Sequence, residues 1–268
     1  MALAGRPWAA VVVVEPDQQD ASQAVLAGVQ AVVPSAKAVL LSQGLAGVGP
    51  RDVVVAVGDQ AARSEYPAGA AMVALLLDDP DLKLERTCVR VSPLPDAFFL
   101  MSKIRDLVPG LSTVAIFSMG DHFKSYIKYL GAAGFVSNTT ILPHAVDRVD
   151  DLVAGLRSLP GKAQALWLAP DPLLLDLGNF KLIATFCSAN KIALIAPVTV
   201  LARAGALAGI APSAQDQGQA AGKAAAGLLA GTFKASSIVS DQCEVLINPD
   251  TARTLGLRAD PRDGSILR

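Results

Sequence analysis

The 268-residue sequence predicts an α/β protein of two lobes, each built on a parallel sheet with helices on both faces. Three observations predict it. Short runs rich in Val, Ile and Leu alternate with longer stretches of helical periodicity, the pattern of strand–helix–strand units. Such strands are too many for one small sheet, and single cores stop growing at roughly 250–300 residues. A proline-rich break, Ser92-Pro93-Leu94-Pro95, separates two sets of strands. Its prolines fix φ and restrict the residues before them, so it marks a passage between lobes.

The elements follow in order. Trp8–Val14 reads as a strand rich in β-branched Val, and Gln19–Val33 as a helix. Lys37–Leu41 and Asp52–Val57 are strands, the latter ending at Gly58, and Asp59–Arg63 opens a short helix. Ala71–Leu77 and Cys88–Val91 are strands. After the break, Asp96–Val108 is an amphipathic helix on Phe99, Leu100, Ile104, Leu107 and Val108, stopped by Pro109-Gly110. Strand Ser112–Phe117, helix Asp121–Leu130, strand Thr139–Leu142 and helix Val149–Leu159 come next. Strand Ala165–Leu168, helix Leu174–Asn190 and strands Ile192–Ile195 and Ala206–Ile210 complete the run. Helix Ser213–Leu229 carries small residues, Gly218, Ala221, Gly222 and Ala225, that let it approach a sheet closely. Strand Cys243–Ile247 and a short helix from Thr251 close the pattern.

Composition narrows the function. With 52% apolar and only 18% charged residues, the chain has ample material for buried cores. Aromatics are 5%, so Ala, Val and Leu build the interior. The net charge of -1, with no basic block interleaved with aromatics, argues against nucleic acid and anionic membranes as partners. The apolar runs Trp8–Val14 and Ala70–Leu77 are far shorter than the ~20 residues of a membrane helix, so no transmembrane segment is predicted.

In open parallel sheets, ligands bind outside the carboxyl ends of the strands, against loops and helix starts. The residues at those ends are therefore the candidates. They are Glu15, then Gly58, Asp59 and Gln60, then Ser118, Met119 and Asp121, and further on Asp171, Pro197, Thr199 and Ser213. Singly, each has an ordinary reading, Asp59 and Asp121 as helix caps and Gly58 as a turn. Together, polar residues at matching ends of both sheets point to binding of a small molecule. Catalysis has little to stand on. There are two histidines, His122 and His144, and no GxSxG elbow, HExxH pair, phosphate loop or GxGxxG. Asp78-Asp79 and Asp150-Asp151 read as solvated charge. No metal set and no cofactor fingerprint is present, and the chain is read as no enzyme.

Several stretches resemble the substrate-binding proteins of ABC transporters, the group that includes tryptophan- and other aromatic-amino-acid-binding components. They are Phe99–Val108 with Pro109-Gly110 and Ser112–Ser118, Ala165–Pro172, Lys191–Pro197 with Arg203–Ala208, and Leu246–Leu257. Val53–Gly58 followed by Asp59-Gln60-Ala61-Ala62 is similar to a first-lobe turn of the same family. The resemblance implies a type I periplasmic-binding-protein fold, two Rossmann-like lobes joined by three crossovers. It implies lobes of residues 1–93 with 213–240 and 94–212 with 241–268, hinged near Ser92–Pro95, Pro212–Ser213 and Ser240–Gln242. It further implies a ligand, an amino acid or similar carboxylate, held between lobes and delivered to a membrane permease. Ser118, Met119 and Asp121 then match the loop that receives the ligand carboxylate, Asp171 a polar position beside it, and Gly58, Asp59 and Gln60 the first-lobe contact loop. The chain departs from the family with Ser118-Met119 in place of Asn-Pro and Val198-Thr199 in place of Ser-Asp. Aromatics usual near the hinge are replaced around Ala211–Ala214. A sensor coupled to a signalling receptor, and an enzyme on the same scaffold, are the alternative functions.

The resemblance also predicts a periplasmic or extracytoplasmic protein with a leader before Ala2; a native start at Met1 would make it cytoplasmic. Ala2-Leu3-Ala4 fits the small-residue pattern of a cleavage site. The three cysteines, Cys88, Cys187 and Cys243, are widely spaced and form no CxxC pair. They read as buried small apolar residues, with one disulfide and a leftover thiol as the alternative. Cys88 and Cys187 fall in different predicted lobes, where a bond would hamper closure, so three buried, unbridged thiols are expected.

Overall fold

A computed structural model describes residues 9–16, 20–77, 82–84, 86, 88–120 and 123–267. Trp8, Gln19, Asp78-Asp79, Asp121, His122 and the Ala2-Leu3-Ala4 stretch lie outside the described residues. The chain divides into two compact units, Met1–Leu94 with Pro212–Gln242 and Pro95–Ala211 with Cys243–Arg268. It therefore passes from one to the other three times, after Leu94, Ala211 and Gln242.

In chain order, the first unit begins with β1 (Val11–Glu15), α1 (Asp20–Val32), β2 (Lys37–Leu40), β3 (Val53–Val57), α2 (Gly58–Ala62), β4 (Ala71–Leu75) and β5 (Val89–Val91). The second unit follows with α3 (Ala97–Leu107), β6 (Thr113–Ser118), α4 (Lys124–Val136), β7 (Thr140–Ala145), α5 (Val149–Arg157) and β8 (Ala165–Leu168). It continues with α6 (Pro172–Leu175), α7 (Leu177–Ala189), β9 (Ala193–Ala196) and β10 (Ala208–Ala211). The chain returns for α8 (Ala214–Leu229) and β11 (Ser237–Ile238), then crosses again for β12 (Glu244–Ile247), α9 (Pro249–Leu255) and β13 (Ser265–Ile266).

The first sheet has the order β11-β5-β4-β3-β1-β2, with every pairing parallel. The second has the order β13-β12-β10-β9-β8-β6-β7, parallel except where β12 runs against β10. Coverage on both faces is why the central strands are apolar throughout instead of alternating. Val11, Val13, Val53, Val55, Val73 and Leu75 join Val25 and Val29 of α1 and the alanines of α8 in one core. Val12, Val14, Val54, Ala56, Met72 and Ala74 meet Ala61, Ala62 and Tyr66 on the other face. In the second unit Phe117, Leu166, Leu168 and Leu194 pack on Leu152, Leu156, Phe180 and Ile183.

The small residues of α8 serve two surfaces. Ala220, Ala221, Ala224 and Ala225 lie in the core of the first sheet. Gly218 and Gly222 instead face α1. A Cβ on Gly218 would stand 2.3 Å from the Val25 carbonyl oxygen, and one on Gly28 of α1 would stand 2.1 Å from that of Gln215. The close approach expected between a helix and a sheet is thus, at the glycines, one between two helices.

Other elements depart from expectation for local reasons. The helix expected to stop at Leu130 runs on to Val136 through Gly131 and Gly134. Gly134 acts as a point of close contact, where a Cβ would meet the Thr139 carbonyl oxygen at 2.6 Å. The helix expected over Leu174–Asn190 is two helices, because Asp176 caps the second by accepting from the Gly178 and Asn179 amides. His144 lies within β7, paired with Phe117 across the ladder, their rings 5.1 Å apart. Burial, and then nearby Lys162, lower its pKa. The unfolded chain therefore takes up the proton first. Stability should fall as pH drops below about 6.5, and His144→Gln should flatten that dependence in denaturation midpoints between pH 5 and 7.

None of the three cysteines is in a disulfide. Only Cys187 is buried; Cys88 and Cys243 are partly exposed, which corrects the expectation of three buried thiols. Burial pushes the Cys187 thiol up to about 12. A thiol reagent should thus label Cys88 and Cys243 in the native protein, and Cys187 only after unfolding. Native labelling of all three would contradict the packing around α7.

Candidate functional site

In each sheet the strand order reverses at one point, and the connections on either side leave the carboxyl edge in opposite directions. In the first unit that point lies between β1 and β3. Glu15 is the last residue of β1 and only 3% exposed. Beside it, β3 passes directly into α2. Gly58 makes the turn with φ 78, and a Cβ there would find its nearest neighbour, the Leu76 carbonyl oxygen, at 3.9 Å. Glycine is thus required by backbone conformation and not by lack of space. Asp59 and Gln60 occupy the first turn of α2, with Asp59 half-buried and Gln60 exposed. At the end of β4, Leu76 adopts φ 52, a left-handed conformation rare for a bulky side chain. Strain of this kind collects at functional edges, and nothing in the sequence around Leu76 signals it.

In the second unit the reversal lies between β6 and β8. Ser118 ends β6 and is 3% exposed. The Met119 amide donates to Asp171 Oδ2 at 2.6 Å, a bond that spans the reversal. Asp171 lies in the loop after β8 and is 2% exposed. The next amide, Gly120, donates to Asp147 Oδ1 at 2.9 Å, and the Val146 amide donates to the Ser118 carbonyl. The loop leaving β6 is therefore clamped on both sides by carboxylates. Asp147 was not singled out in the sequence; an aspartate just before a helix reads as an ordinary cap. Pro197 is buried after β9, and Thr199 opens a short 3₁₀ turn over Thr199–Ala202. That turn packs on Gly209 of β10, where a Cβ would stand 2.4 Å from the Thr199 Cα.

The structure brings together Ser118, Met119 and Asp171 in the second unit and Glu15, Gly58 and Asp59 in the first. Asp121 lies outside the described residues. Ser213 belongs to the first unit, as the expected lobe boundaries have it, and caps α8. Its hydroxyl donates to Asp216 Oδ2 at 2.8 Å and accepts from the Asp216 amide, which is sufficient to account for a serine there. Among the described residues no group of three His, Cys, Asp or Glu side chains could hold a metal ion. No helix among them is long and apolar enough to cross a membrane.

Solved structures with the same fold share little sequence with this chain. A ligand-free, open substrate-binding protein with adhesive properties from Clostridium difficile is 15% identical, with a TM-score of 0.64 over 97% of this chain and 99% of that one. An ABC domain in complex with L-Trp from Streptococcus pneumonia is 18% identical, with a TM-score of 0.57 over 97% and 100%. A conserved domain protein from Vibrio cholerae is 13% identical, with a TM-score of 0.58 over 97% and 99%. No curated protein matches the sequence significantly. At the level of families, the model of the ABC transporter substrate-binding proteins matches residues 90–262, well over half of the chain. This chain belongs to the family of ABC transporter substrate-binding proteins.

Proposed function

We propose that the chain is the solute receptor of an ABC transporter, holding a small polar metabolite at the carboxyl edges of its sheets and presenting it to a membrane permease outside the cytoplasmic membrane. The observation that carries this reading is the built loop at the β6/β8 reversal. A mobile turn there would leave the Met119 and Gly120 amides to solvent, whereas Asp171 and Asp147 fix both. Preorganised polar edges at strand-order reversals are where such sheets bind ligands. Family membership and the L-Trp complex of the Streptococcus pneumonia neighbour make an amino acid the first solute to try. Its carboxylate would need donors other than the Met119 and Gly120 amides, which are engaged. The chain is proposed to bend at its three crossings as it binds. Mass spectrometry of small molecules released on denaturing the purified protein tests the reading. One polar metabolite in near-stoichiometric amount is expected. Turnover of that metabolite by the intact protein would speak for an enzyme instead.

A further inference from the structure

One side chain in the first turn of α4 reaches the first chain crossing. Tyr126 follows the loop leaving β6 by a few residues, and its hydroxyl donates to the Pro95 carbonyl oxygen at 2.7 Å. Pro95 is the first residue of the second unit. The next residue, Asp96, caps α3 by accepting from the Phe98 and Phe99 amides at 2.9 and 3.0 Å. The Tyr126 ring rests on Trp167, their centroids 5.6 Å apart and tilted by 45°. Trp167 is fully buried in β8, four residues before Asp171, and its indole N–H has no hydrogen-bond partner among the described residues. Packing against neighbours such as Tyr126 therefore holds the indole in place. Burial, then Asp96, then Cys243 push the Tyr126 phenol far above its ordinary pKa, so the hydroxyl keeps its proton and remains a donor at every working pH. Cys243 is the residue at which the last crossing enters the second unit. The phenol is thus bonded at the entry point of the first crossing and lies within electrostatic reach of that of the last.

We propose that Tyr126 is a positioning residue that couples the Ser118–Asp171 edge to the first crossing through its bond to Pro95 and its contact with Trp167. Displacement of the Asp171 end of β8 is carried through Trp167 to the Tyr126 ring, and from the phenol to the Pro95 carbonyl and the Asp96 cap. The sequence gives no hint of this role, since Tyr126 reads as one apolar position among several on a helix face. The inference rests on the solute-receptor reading for its purpose, but the coupling itself is a property of the solute-free protein and is tested there.

The test is native-state hydrogen exchange on the solute-free full chain, read at the Phe98 and Phe99 amides. Tyr126→Phe keeps the ring and removes the donor. It should speed exchange at these two amides by roughly tenfold, while amides of β6 and β8 stay unchanged. Asp171→Asn weakens the loop clamp at a distance. In the parent protein it should speed exchange at Phe98 and Phe99 severalfold, and in the Tyr126→Phe background it should add nothing. Four outcomes would overturn the proposal. Tyr126→Phe could leave the two amides unchanged, or it could accelerate exchange evenly through the second unit, as a merely structural residue would. Asp171→Asn could act equally in both backgrounds or in neither. Failure to find a solute would sink the receptor reading and leave these results standing.

Discussion

Replacing Gly28 with valine is expected to be the most damaging single change in the first unit. A Cβ at that position would stand 2.1 Å from the Gln215 carbonyl oxygen and 2.8 Å from the Gln219 amide nitrogen. Both are backbone atoms of α8, so no rotamer change can relieve the clash. The two helices would have to separate, opening the layer of Val25, Val29, Ala221 and Ala225 above the first sheet. Overpacking typically costs about 1–3 kcal/mol and occasionally more, and the rigidity of this contact puts Gly28→Val at or above the top of that range. The fall should appear as a lower denaturant midpoint with an unchanged slope. Gly218→Val should act similarly, because its Cβ would meet the Val25 carbonyl oxygen at 2.3 Å. Gly47→Ala provides the contrast, since nothing lies within 4 Å of a Cβ there. A small effect for Gly28→Val would mean that α1 and α8 are not packed as described.

Removing the carboxylate of Asp171 is expected to cost both stability and solute affinity. Its Oδ2 accepts the Met119 amide at 2.6 Å at a position that is 2% exposed. Alanine would leave that amide without its acceptor, a loss of about 1–3 kcal/mol in stability. The loop between β6 and α4 would also lose its fixed geometry. Affinity for the native solute should drop by about 1.5–3 kcal/mol, or roughly 10- to 150-fold. Ser118→Ala should weaken binding less and change the denaturation midpoint little. Calorimetric titration with the released solute separates the two effects. Unchanged affinity in both variants would place the solute away from the β6/β8 edge.

Much of this was legible in the sequence, for identifiable reasons. Runs such as Val53–Val57 and Ala165–Leu168 are too short and too apolar for anything but strands covered on both faces, and the structure places strands there. What escaped notice lacked pattern. Ser237–Ile238 and Ser265–Ile266 are two-residue strands at sheet edges, where pairing depends on neighbours and not on periodicity. The reversed direction of β12 is equally invisible, because alternation along a strand says nothing about which way its neighbour runs. At the candidate site, the ends of strands pointed to Glu15, Gly58, Ser118 and Asp171. Three further residues drawn into the account carried no sequence signal. Asp147 looks like a cap, Leu76 looks like core, and Tyr126 looks like one more apolar position on a helix. What sets them apart is backbone conformation or a partner dozens of residues away. Ser213 shows the reverse case, where a polar residue after a strand proves to be capping a helix.

The most direct test of solute binding at these edges is a calorimetric titration of the released solute into the parent protein and two single variants. Gly58→Val alters the edge of the first sheet, where φ 78 and the turn into α2 depend on glycine. Ser118→Ala alters the edge of the second. A single site of one-to-one stoichiometry, weakened at least severalfold by each variant while both remain folded, is the predicted result. A one-to-one complex whose affinity neither variant changes would show that the solute binds elsewhere.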